Sequence, residues 1–164
     1  MKNPPEKPPV ADGMPGHLND ADAMQLSSGI AAFEAKEFRR AWQLLQPLAE
    51  NGNADALYRC GIMTQNGLGV VANLPAAAQM IREAADQDFA LAQHSLGVMH
   101  VFGEGVEANA SEAIRLLELA GEAGLVGAWS TLGMIYNEGQ GVEPDKDRAR
   151  AYYQKAGFDP DEIM

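Results

Sequence analysis

Two histidines six residues apart, His94 and His100, are the first place to look for chemistry in this chain. Imidazole serves as a metal ligand and as a general base. Six residues along a helix, however, set the two about 120° apart around its axis, so they cannot share one metal ion. No cysteine or further histidine complements either of them, as a zinc site would need. His17 is isolated near the start of the chain. The expectation is no metal site, with His100 buried and hydrogen-bonded. Cys60 is the only cysteine and falls within an apolar helical pattern. There a free thiol acts as a small hydrophobe, and Arg59 is the only basic residue beside it. The 23 acidic side chains are scattered along the chain. A hydrolase built on two carboxylates would need a pair facing across a cleft. No serine lies in a nucleophile elbow. Three G-x-G-V segments begin at Gly67, Gly103 and Gly139. Phosphate loops of similar look carry a lysine directly after the last glycine, and none follows Gly69, Gly105 or Gly141. No catalytic residue and no cofactor are expected.

The G-x-G-V segments point to architecture instead. Seven positions recur unchanged three times at an interval of 36 residues, among them Ala56/Ala92/Ala128, Gly61/Gly97/Gly133, Ala77/Ala113/Ala149 and Ala84/Ala120/Ala156. A fixed period of that length marks a solenoid, whose units bury their apolar faces against one another. Each unit reads as two helices by apolar spacing, with no alternation of the strand type. In the unit starting at Ala90, helix A covers residues 90–103 and helix B residues 111–124. The glycines close helix A, because glycine accepts the left-handed conformation of a helix end. Asn73, Asn109 and Asp145 stand where helix B begins and can cap its first amides. Glu112, three residues after Asn109, suggests a capping box. Pro75 fits the first turn of its helix. Alanines at the repeated positions allow close helix approach, and Leu96, Met99, Ile81, Leu117, Tyr136 and Tyr153 fill the gaps.

The solenoid spans residues 21–161: a variant unit at 22–53, then full units at 54–89, 90–125 and 126–161. In the first unit Gly29 aligns with Gly61 and Ala41 with Ala77, four residues short in the turn. Residues 1–20 hold five prolines and read as a disordered Pro-rich arm. After the last helix, the tail FDPDEIM is too short for a capping helix; either Phe158 and Ile163 fold back over the end, or a second copy covers it.

The formal charge is −11, from 23 acidic and 12 basic side chains. Such a chain repels phosphate backbones and anionic membrane surfaces, so neither nucleic acid nor membrane insertion is expected. The basic residues Lys36, Arg39 and Arg40, and Lys146, Arg148 and Arg150, form two small clusters on expected helices. A lone cysteine leaves no disulfide signature, which slightly favours the cytoplasm. A periplasmic location is consistent with a leader removed ahead of residue 1.

The pattern A-WST-LG-MIY-NE-GQGV at 128–142, echoed by Leu96-Gly97 and Cys60-Gly61, resembles the Sel1-like repeats, relatives of the tetratricopeptide repeat. The tyrosine of that pattern is Thr64 and His100 in the two earlier units. The resemblance implies an all-α, right-handed solenoid of helix-turn-helix repeats with a concave face, and adaptor or scaffold work in bacteria. It implies no shared active site. An immunity role against a secreted bacterial toxin is the alternative. Cysteine-rich relatives described as binding or hydrolysing β-lactams carry paired cysteines in every unit, which this chain lacks.

One feature of the A helices exceeds what packing needs. Positions 2, 5, 9 and 13 of each unit lie opposite the core side by the helical step of about 100°. In the third unit they are Leu91, His94, Val98 and Phe102, nearly all apolar. They include Tyr58, Ile62 and Asn66 in the second unit and Met134 in the fourth, so the stripe fades to polar at both ends. Either these residues line a groove, with Gln65, Asn66 and Asn137 adding hydrogen bonds to a protein or peptide partner of basic character, or part of the stripe packs between adjacent A helices.

Overall fold

The computed structural model describes residues 18–164; the Pro-rich arm therefore lies almost wholly outside the described residues. Eight helices pair as α1 (Asp20–Glu34) with α2 (Phe38–Glu50), α3 (Ala54–Asn66) with α4 (Leu74–Ala85), α5 (Ala90–Phe102) with α6 (Ala110–Glu122), and α7 (Val126–Glu138) with α8 (Lys146–Lys155). A single turn, α9 (Pro160–Ile163), follows. Each helix packs on its neighbours in the chain, as expected of an α-solenoid. The odd-numbered helices form an A layer and the even-numbered α2–α8 a B layer.

The side chains that start and stop these helices recur with the period. Gly67, Gly103 and Gly139 end α3, α5 and α7 in the left-handed conformation, with φ of 66°, 68° and 73°. Asn73, Asn109 and Asp145 each accept a bond from the amide three residues on, capping α4, α6 and α8. Their own amides donate back to Thr64, His100 and Tyr136 carbonyls, all at 2.9 Å, and so tie each loop to its A helix. That bond leaves no Asn109 amide for Glu112. The reciprocal half of the expected capping box is absent, and Glu112 pairs with Arg115 instead. Lys36 also departs from expectation: it sits in the α1–α2 turn with φ of 60° rather than on a helix.

Within each pair, one glycine admits one large side chain. A Cβ at Gly29, Gly61, Gly97 or Gly133 would fall 2.5, 2.6, 2.9 or 2.6 Å from Leu45, Ile81, Leu117 or Tyr153 respectively. These partners are themselves 36 residues apart, so the shortened first pair keeps the same knob and hole as the others. Between pairs, the second loop glycine does similar work. A Cβ at Gly105 would lie 2.5 Å from the Leu74 carbonyl oxygen, and one at Gly69 3.0 Å from the backbone at Phe38–Arg39. The G-x-G-V loop thus seats each unit on the start of the previous B helix, a role beyond the helix stop that the sequence suggested.

At the C-terminal end, Tyr152 stacks between Trp129 and Tyr136, with ring centroids 5.9 and 5.8 Å away, and Lys155 lies over Trp129. Pro160 is buried and Arg150 pairs with Asp161. Phe158 and Ile163 do not fold into the core; both stay about half exposed, at 49% and 45%.

Two glycine substitutions separate packing from backbone freedom. Gly97→Val should cost ~1–3 kcal/mol by crowding Leu117. Gly127→Ala, where nothing stands within 4 Å of the added carbon, should be neutral or stabilising by under ~1 kcal/mol. Thermal melts of both variants check this; equal destabilisation would mean that the α5–α6 contact does not need its glycine.

Candidate functional site

The A-layer face turned away from the B helices is built from positions 2, 5, 6, 9, 12 and 13 of each unit. The structure divides these residues between two tasks. Tyr58 and Ile62 are half-buried and pack on the core, with the Tyr58 ring 5.5 Å from Phe89 at the start of α5. His94 Nε2 lies 3.1 Å from the Thr131 hydroxyl on α7. Burial holds the His94 imidazole below its usual pKa. These residues join consecutive A helices and act at least partly as scaffold.

Arg59 makes the corresponding link between α1 and α3, a role that its place beside Cys60 in the sequence did not suggest. Its guanidinium donates to Glu34 at 2.7 Å and to Asp55 at 2.6 Å, and it lies over the Phe33 ring. Burial opposes the charge, but the two carboxylates outweigh it and raise the Arg59 pKa above its ordinary value. The available signal was the position-6 column, Arg59, Ser95 and Thr131, where polar residues flank the apolar stripe.

The polar residues of the expected site are partly committed elsewhere. Asn137 Oδ1 accepts from Lys146 Nζ at 2.6 Å, which turns it toward α8. Asn66 is exposed, yet its amide donates to the Ile62 carbonyl of its own helix. Gln65 is half-buried with no side-chain hydrogen bond among the described residues.

What remains available is concentrated on α5. Leu91 is 38% exposed and Phe102 55% exposed, with Val98 half-buried between them. Offsets of seven and eleven residues place all three within about 20° of one line along the helix, spanning roughly 16 Å. Met134 occupies the corresponding half-buried position on α7, and the space at Gly127 is open. The acidic side chains of Glu34, Glu104 and Glu138 are exposed at the loop ends of this layer.

Among the described residues, no group of three or more His, Cys, Asp or Glu side chains is arranged to hold a metal ion. No described helix is long and apolar enough to cross a membrane. Cys60 is fully buried, and desolvation pushes its thiol up to about 12. His100 is 7% exposed and its Nδ1 bonds the Glu107 carbonyl, the buried state expected for it.

The Sel1 repeat family model matches residues 54–89, 90–125 and 132–157, together more than half of the chain. The chain belongs to the Sel1 repeat family. Its first helix pair precedes the matched segments. Among solved structures, this Sel1 repeat protein is similar to a Sel1 repeat protein from Oxalobacter formigenes, with 30% identity and a TM-score of 0.72 over 81% of this chain and 53% of that one. It is also similar to a protective antigen of uropathogenic Escherichia coli that displays an SLR fold, with 32% identity and a TM-score of 0.74 over 83% of this chain and 30% of that one. The chain therefore spans about half and about a third of these two relatives. The cysteine-rich protein B of Helicobacter pylori shares the fold, with 21% identity and a TM-score of 0.54 over 71% of this chain and 98% of that one. No curated protein sequence matches significantly. Sel1 repeats as a family mediate protein–protein interaction, and the fold is typically that of a non-enzymatic adaptor.

Two outcomes follow from this geometry. At mildly alkaline pH, thiol reagents should label Cys60 only as the protein unfolds, because the folded thiol is both buried and held protonated. Rapid labelling of the native protein, followed by mass spectrometry, would contradict that burial. His94 sets a pH dependence. Its folded pKa lies below the unfolded value of 6.5, so the unfolded chain takes up the proton first and stability is lost as pH falls below that value. His94→Gln should flatten this acid-side loss in melts run across the range; an unchanged slope would place the titration elsewhere.

Proposed function

We propose that this Sel1 repeat protein is a binding module that holds a peptide or protein partner on the A-layer face, the concave side of the solenoid. The observation that carries the reading is the Leu91–Val98–Phe102 line. A large aromatic residue stays more than half exposed in the most apolar unit, although the core-side positions of the same helix, Ala92, Gln93, Leu96, Met99 and His100, are all buried. Interfaces concentrate their energy in a few such anchors surrounded by a polar rim. The surrounding carboxylates and the charge of −11 favour a partner with basic residues. Tyr58, Ile62 and His94 stiffen the floor beside the anchors, and Met134 extends it on the α7 side. Gln65 is the amide best placed to add a hydrogen bond, since Asn137 is already engaged.

The test begins with a photo-crosslinking residue at position 102 in cells, which identifies the partner that sits there. Binding of that purified partner is then compared between the native protein and the Phe102→Ala/Val98→Ser double variant. Phe102 is mainly exposed, so its truncation should change stability by no more than ~0.5 kcal/mol, and the half-buried Val98 adds a modest further loss. Binding should fall by at least about 100-fold, as for loss of an interface anchor. A partner retained undiminished by a destabilised double variant would assign the stripe to the scaffold.

A further inference from the structure

Away from the α5 line lies a cleft of about 440 Å³ walled by Arg82 of α4, His100 of α5 and the α5–α6 loop from Gly105 to Asn109. His100 is more than nine-tenths buried, and its Nε2 has no hydrogen-bond partner. Its Nδ1 lies 3.0 Å from the Glu107 carbonyl oxygen. A carbonyl can only accept, so Nδ1 carries the proton and Nε2 of the neutral ring is a bare acceptor. Arg82 makes no ion pair or side-chain hydrogen bond among the described residues. A buried acceptor without a donor, costly unless something completes it, thus shares one cleft with a partly buried arginine that makes no ion pair.

The next gap along the solenoid shows how such a space is filled. There Tyr136 stands 36 residues after His100, and Glu118 stands 36 after Arg82. Tyr152 stacks on Tyr136 and donates its hydroxyl to Glu118 at 2.6 Å. The residue in register with Tyr152 one unit earlier is Leu116, which is shorter and apolar and carries no hydroxyl.

We propose that this cleft binds an amide group of a polypeptide partner, whose carbonyl accepts from Arg82 while its N–H donates to His100 Nε2. This deepens the interaction reading and rests on it, adding a polar contact point beyond the apolar anchors. An amide offers the required acceptor and donor side by side without net charge. A carboxylate fits less well, because it cannot donate to Nε2 and meets the acidic side chains of Glu107 and Glu112 nearby. The charged and titratable groups around His100 are Arg82 from α4, Glu107 from the loop, and Glu112 with its partner Arg115 from α6.

Nuclear magnetic resonance on the free protein tests the site with three probes: propionamide for an Asn or Gln side chain, N-methylacetamide for main chain, and acetate for an anion. Above neutral pH, at least one amide should shift the His100 ring nitrogens and the amides of Gly105–Asn109 saturably, and the responding amide names the source. Binding should weaken about tenfold in Arg82→Met, as for loss of a hydrogen bond to a charged group. His100→Tyr, which installs the residue found at position 136, should stay folded and lose the loop shifts. The Phe102→Ala/Val98→Ser variant should keep amide binding, so failure of the α5 anchors and failure of this cleft are read separately. No saturable shift from either amide, or a stronger response to acetate than to either amide, would overturn the proposal.

Discussion

Everything in this solenoid depends on how closely the two helices of a unit can approach. At Gly29, Gly61, Gly97 and Gly133 the A helix presents a hydrogen where any other residue would present a carbon, and a B-helix side chain occupies that space. The alanines at the repeated positions extend the same close approach, and most of them are fully buried. Because the interior is packed at solid-like density, the position of the B helix is not adjustable once the knob is seated. The second loop glycine then transmits that position to the next unit, by resting on the start of the preceding B helix.

This geometry leaves the A layer with an unequal face. Consecutive A helices are joined by different chemistry at each step: an arginine with two carboxylates, an aromatic pair, and a histidine–threonine hydrogen bond. Exposed ion pairs contribute little, but Arg59 is mostly buried, with 12% of its side chain exposed, so its two carboxylates hold it in a fixed position. The variety shapes the surface that the A layer presents. Identical units would present a repeating surface, whereas these linkers use up different positions in each unit and leave the apolar line of α5 as the distinctive feature.

The repeat period, the helix ends and the paired small and large positions were legible in the sequence, because they follow from local rules. A left-handed residue needs glycine, a free amide needs a capping oxygen, and a core face needs apolar spacing. Family membership follows from the same residues, since the G-x-G-V loops and repeated alanines are what the units share. The apolar stripe on the A helices was also visible, as residue types at fixed angles.

Which members of that stripe face outward was settled by tertiary structure. Tyr58 and Leu91 are both apolar residues on the same side of their helices, yet Tyr58 meets Phe89 and packs on the core while Leu91 remains exposed. The difference lies in what the adjacent unit brings opposite each residue, and no local pattern encodes that. Folding within a unit settled Asn137, claimed by Lys146 across the turn, and Glu112, displaced from its capping role because the Asn109 amide is already bonded to the His100 carbonyl. The Arg82–His100 cleft is a product of two units, with α4 on one side and the α5–α6 loop on the other. Sequence thus determined each unit and its period, through interactions within a few turns of chain. Contacts between units and across the turns within them, which depend on distances in space, decided which side chains were left exposed.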